Sequence, residues 1–155
     1  MLKVLVLIHV LSAIIGVGPT FFGHVLYRKN QTAVDLRHSM KLSNLLNFFP
    51  KIGGTLAVIT GIILVIVGNY GSFFSTLWLI GSLVLYILIQ IVVIAIIDPK
   101  AKKLSTWLFA DENEAVTELP VEQRNELLSI NKLTYLASTL GTLLFIFMIW
   151  KPYIG

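Results

Sequence analysis

Two of the three histidines in the chain stand at the ends of one otherwise apolar stretch, HVLSAIIGVGPTFFGH, which runs from His9 to His24. Imidazole ligates metals, carries protons and donates or accepts hydrogen bonds, and an ionisable group inside a bilayer faces protein or a cavity rather than lipid. Both histidines are therefore candidates for ligand chemistry. His9, Ala13, Gly16, Thr20 and Gly23 follow a 4-3-4-3 spacing, which places them on one helical stripe and turns His9 inward with the small residues. His24 is fifteen residues further on. At the α-helical rise that is ~22 Å along the axis and about 60° around it, so the rings belong to opposite leaflets and cannot share one iron within a chain.

Other polar residues recur at matching depths. Ser82, Tyr86 and Gln90 are spaced i, i+4, i+8, and Asn131, Tyr135, Ser138 and Thr142 form a second stripe. These spacings predict that His24, Gln90 and Tyr135 surround one polar pocket near one leaflet, while His9 and Ser12 stand alone in the other half. Each residue also has a purely structural reading. His24 precedes Arg28 by four residues and can snorkel to the headgroups. His9 can be a neutral ring bonded to a neighbouring backbone or hydroxyl, Gln90 can be interhelical glue, and His38 reads as a surface residue. Gly18-Pro19 can simply kink its helix.

What positions these residues is a set of membrane helices. The 155 residues are 56% hydrophobic and 13% charged, with a mean hydropathy of +0.85, too little polar side chain to cover a water-soluble fold. Four apolar runs, about 2–27, 52–68, 76–97 and 133–150, each approach the ~20 residues that span ~30 Å of hydrocarbon. The first ends in Arg28-Lys29 without an A-x-A-like exit, which reads as a retained helix rather than a cleaved leader. The expected fold is all-α, a single four-helix transmembrane bundle over residues 1–155.

Charge placement predicts its orientation. Of twelve Lys and Arg, five lie between Arg28 and Lys51, five between Asp98 and Lys132, and only Lys3 and Lys151 elsewhere. Basic residues gather in cytoplasmic loops, so both termini are expected outside and both long loops in the cytoplasm of a bacterial inner membrane. The basic balance follows from topology and does not argue for nucleic acid.

Between the spans, Thr32 to Phe49 has the amphipathic pattern of an interfacial helix or of a soluble extension of the second span. Pro50 kinks or starts the spanning part. The seven residues Asn69 to Ser75 predict that the second and third spans are antiparallel neighbours. Asp98-Pro99 reads as a stop to the third. The acidic DENEAVTE segment reads as solvated, and from Pro120 onward one long helix is expected. Small residues spaced by three or four mark the seams: Gly16 and its stripe in the first span, Gly53, Ala57 and Gly61 in the second, Ala137 and Gly141 in the fourth.

Several chemistries are excluded. The chain has no cysteine, so thiolate ligands and thiol nucleophiles are out. It has no P-loop, H-E-x-x-H or G-x-S-x-G motif and no acidic residue within an apolar run, which argues against a primary pump and assigns no catalytic residue.

The stretch LIHVLSAIIGVG (Leu7 to Gly18), with the Gly-rich GGTLAVITGIIL (Gly53 to Leu64), resembles a loose group of small bacterial four-helix membrane proteins. It is most similar, over most of the chain, to an uncharacterised family of integral membrane proteins, and more loosely to the CopD copper-resistance domain and the HemJ-type protoporphyrinogen oxidases. The HemJ resemblance implies a haem ligated by His9. The chain departs from that group in having Gln90 where a third-helix histidine pairs with the first, and Thr20 where an arginine follows the proline.

The expected function is thus the binding of haem b or a related hydrophobic redox cofactor, with His9 or His24 as the metal ligand and Ser12, Gln90 and Tyr135 beside it. The second axial ligand would come from His38, Met40, water or another protomer. The alternatives are a non-enzymatic accessory, assembly or small-molecule-binding subunit, or a small dimeric transporter. The expected partners are the bilayer and a second copy or another membrane protein.

Overall fold

A computed structural model describes residues 1–68, 70 and 76–152, and among them every regular element is helical. Among these described residues four helical stretches are long and apolar enough to cross a membrane: Leu2–Leu26, Ala33–Gly68, Leu77–Leu108 and Val121–Trp150. They contain helices α1 (Leu2–Val17), α2 (Gly23–Leu26), α3 (Ala33–Leu46), α4 (Phe48–Gly68), α5 (Leu77–Gln90), α6 (Asp98–Leu108) and α7 (Val121–Trp150).

Three prolines mark where these stretches change character. Pro19 sits in a 3-10 segment, Gly18–Phe22, that joins α1 to α2. Pro lacks the N–H that an α-turn needs, and the tighter winding re-aims everything after it. Pro50 lies in the first turn of α4, where a missing donor costs nothing. The chain does not stop at Asp98-Pro99. A π-helical segment, Ile91–Ile97, leads directly into α6. Its wider i to i+5 winding relaxes the ladder around the proline ring, so the helix passes through a residue pair that reads as a terminator.

Packing follows two different forces. Along the apolar helices α1 meets α4 backbone to backbone at small residues, and α5 packs on α7 with Gly81 receiving the Phe147 ring. The 3-10 segment and α2 then cross onto α7. No comparable seam joins α4 to α5 among the described residues, so the second and third spans are not packed along one another. Residues 71–75 of their connection, and Asn69, lie outside the described residues. A short link holds helix ends within reach, but the small residues of α4 face α1 and so decide its partner.

At the end carrying the long loops the hydrophobic effect takes over. Leu36 and Met40 of α3, Leu104 and Leu108 of α6, Leu119, and Leu127 and Ile130 of α7 form a buried cluster, since water there drives apolar side chains together as lipid does not. Helix α3 is therefore a packed extension of the second span. Thr32 caps it, its Oγ1 accepting from the Asp35 N–H at 3.1 Å, the arrangement that Thr-x-x-Asp favours. Helix α7 runs unbroken for 30 residues from Pro120, as its sequence predicts.

Candidate functional site

The seam between α1 and α4 is built on glycine. A Cβ on Gly16 would lie 2.6 Å from the carbonyl carbon of Gly53, and one on Gly53 would lie 2.7 Å from the Gly16 Cα. Neither position admits a side chain, which is what the sequence spacing predicts for both. Ser12 is buried in the same seam, with its carbonyl oxygen against Gly53.

His9 stands two turns from Gly16 on this face, half-buried. Its Nδ1 lies 2.9 Å from the Ala57 carbonyl oxygen and 3.1 Å from Thr60 Oγ1. The Ala57 carbonyl can only accept, so Nδ1 carries the proton. Thr60 donates its own hydroxyl to the Leu56 carbonyl at 2.6 Å, leaving its lone pairs for the imidazole. In the neutral ring Nε2 is then the bare nitrogen, and it makes no hydrogen bond among the described residues. Gly61 gives the ring room: a Cβ there would come within 3.0 Å of His9 Cε1. Of these partners Ala57 and Gly61 are legible as a small-residue stripe. Thr60 is not, because a threonine adjoining a glycine in an apolar helix carries no distinguishing signal.

The second histidine belongs to a different seam. The predicted stripe changes partner along its length, because the 3-10 segment around Thr20 touches both α4 and α7 and turns Gly23 and α2 onto α7. Gly23 packs against Thr134, whose Cγ2 would be 3.2 Å from an added Cβ. Asn131 donates from Nδ2 to the His24 carbonyl at 3.2 Å, and Ser138 reaches the Thr20 carbonyl at 3.4 Å. Polar side chains of α7 thus satisfy carbonyls around a broken helix, as apolar surroundings require.

The His24 ring stacks on Tyr135, with centroids 4.8 Å apart and planes 27° from parallel. Its Nδ1 is buried with no hydrogen-bond partner. Gln90 is half-buried at the end of α5 and makes no hydrogen bond to either ring, so the structure joins His24 with Tyr135 and leaves Gln90 apart from that pair's bonding. His38 is exposed on α3, and Met40 is enclosed in the loop-end cluster. Among the described residues no three His, Asp or Glu side chains cluster as a metal site. Two open grooves lie at the loop end, one around Trp107 and Gln123 and one around Phe109 and Lys41, and neither is lined by a histidine.

Sequence reasoning also passed over Arg37. Its guanidinium donates from Nε to the Leu108 carbonyl at 3.2 Å, from Nη1 to Val116 at 3.1 Å and from Nη2 to Asn113 at 2.6 Å. One side chain on α3 thereby caps α6 and pins the acidic connection to α7. An arginine in a basic loop reads as topology, and only tertiary structure shows it turned inward.

Helical stretches of this length, joined by glycine seams and carrying no charge in their apolar centres, define a small integral membrane protein. The chain belongs to the family described as "Predicted integral membrane protein (DUF2269)", which it matches over residues 3–152. No curated protein and no solved structure matches it. The family match agrees with the expected membership and extends no likeness to the CopD or HemJ groups.

Proposed function

We propose that this protein holds haem b, or a related hydrophobic redox cofactor, within the bacterial cytoplasmic membrane through Nε2 of His9. The observation that carries this reading is the hydrogen bond from His9 Nδ1 to the Ala57 carbonyl, 2.9 Å. A ligating histidine characteristically donates its other ring N–H to a carbonyl, which fixes the tautomer and aims the remaining lone pair. Ala57 and Thr60 set the ring's orientation and Gly61 gives it space.

The donor set would supply one imidazole, that of His9. His24 lies on the α7 seam, His38 is exposed and Met40 is enclosed elsewhere, so His9 would hold the group and any further ligand would come from water or from a second copy of the chain. When bound, iron supplies reversible one-electron exchange, and the chain's own part is to bind, orient and shield.

Absorbance tests this directly. Detergent-purified protein titrated with haem is expected to gain a Soret band. His9→Gln, which keeps an N–H donor for Ala57 but has no imidazole, is expected to lose it, whereas His38→Ala keeps it. A wild-type protein that gains no band on haem addition overturns the reading. It would favour instead an accessory subunit, a role consistent with the lack of a seam between α4 and α5 among the described residues.

A further inference from the structure

The stacked pair of His24 and Tyr135 is not used by a ligand at His9, and it has the features of a second site. His24 lies two residues before the loop-side end of the first span, Leu2–Leu26. Tyr135 is 55% exposed, so part of its ring is open to the bilayer at a depth where lipid-soluble molecules present their polar heads.

The ring's hydrogen-bonding state follows from its surroundings. Nδ1 is enclosed and unpartnered. A buried N–H left without an acceptor is rarer and more costly than a buried lone pair left without a donor, so the proton belongs on Nε2. Nε2 is not among the enclosed orphan atoms, and it makes no hydrogen bond among the described residues. The pair therefore offers one N–H donor on the side of the imidazole that is not enclosed, next to a tyrosine that is more than half exposed. Asn131, bonded to the His24 carbonyl, and Thr134, packed on Gly23, hold this turn against α7, so the ring is presented on a fixed backbone.

We propose that His24 and Tyr135 bind the head ring of a lipid-soluble quinone, Nε2–H donating to a quinone carbonyl oxygen while the quinone ring lies beside the imidazole, over the part of the Tyr135 ring that His24 leaves uncovered. A quinone combines the required features: a planar ring for an aromatic face, a carbonyl acceptor at its edge, and an apolar tail that brings it through the bilayer. A phospholipid phosphate would accept from Nε2–H but gain nothing from the exposed ring of Tyr135. The proposal does not depend on His9 or on iron.

The test uses the full-length protein in vesicles of phosphatidylethanolamine and phosphatidylglycerol, titrated with decylubiquinone and read by quenching of protein fluorescence against protein-free partition controls. A saturable phase is expected. Tyr135→Leu and His24→Leu should each weaken it at least tenfold, while Tyr135→Phe, which keeps the aromatic face, should stay within about threefold of the wild type. Helical content by circular dichroism identifies any variant that fails to fold, and Tyr135→Leu alters a largely exposed side chain, so at least one discriminating variant remains. No saturable phase in the wild type, unchanged binding in both leucine variants, or displacement of the quinone by a higher phosphatidylglycerol share would overturn the proposal.

Discussion

Gly16 of α1 and Gly53 of α4 lie backbone to backbone, the Gly16 Cα standing 2.7 Å from where a Gly53 Cβ would be. Two helices this close gain dispersion along their lengths without help from water, which is how helices associate in lipid. Gly16→Val must push α1 and α4 apart and is expected to cost about 1–3 kcal/mol, the usual range for overpacking. Gly54→Ala, one residue from Gly53, meets nothing within 4 Å and should be neutral or slightly stabilising, since Ala is the better helix former. Thermal unfolding in detergent separates the two, and equal melting temperatures for both variants would show that this contact does not hold the helices.

The protonation of His9 is a separate prediction. With Nδ1 donating to Ala57, nitrogen NMR of the labelled, cofactor-free protein should show a protonated Nδ1 and a bare Nε2. Thr60→Val removes a hydroxyl 3.1 Å from the ring but leaves the carbonyl, so the tautomer should persist with a stability loss of about 1 kcal/mol. A proton found on Nε2 in the wild type would remove the basis for ligation at this position.

Much of the membrane half was legible in the sequence, because lipid association depends on residue size and spacing, and Gly16, Gly53, Ala57 and Gly61 carry that signal in one dimension. The inward turn of His9 follows from the same stripe. What the pattern could not convey is the change of partner after Val17. A helical wheel assumes constant winding, and the 3-10 segment at Pro19 breaks that assumption, so Gly23 and His24 face α7 rather than α4. The same assumption hid the π segment before Pro99. The loop-end cluster was illegible for another reason: α3, α6 and the start of α7 each look like ordinary amphipathic helices, and nothing local says that Leu36, Leu104 and Leu127 meet.

Arg37 ties that cluster together, and its fork reaches three carbonyls that a lysine point charge cannot serve at once. Hydrogen bonds from charged groups contribute about 1.5–3 kcal/mol each, and partial exposure lowers the sum, so Arg37→Ala is expected to destabilise by about 2–3 kcal/mol. Arg37→Lys should recover little of this. Limited proteolysis reads the effect where it acts, with faster cleavage between Asp111 and Glu118 in both variants. Cleavage at the wild-type rate would mean that the connection is held by the Ala33 N–H to Thr117 carbonyl bond, 2.8 Å, and by Leu119 burial alone.

Orientation yields the last prediction, and the absence of native cysteine makes it simple to measure. Lys and Arg number ten in the two long loops against two near the termini, and translocating a basic loop across an energised membrane is opposed by the potential as well as by anionic headgroups. A cysteine placed at Glu114, in the exposed connection before α7, should be shielded in intact cells from a membrane-impermeant maleimide and react once the membrane is opened. A cysteine at Leu2 should react in both conditions. The opposite labelling pattern would place His24 and Tyr135 in the outer leaflet and His9 in the inner one. The quinone site would then face the outer aqueous phase while its internal geometry stayed the same, so binding and orientation are separable measurements.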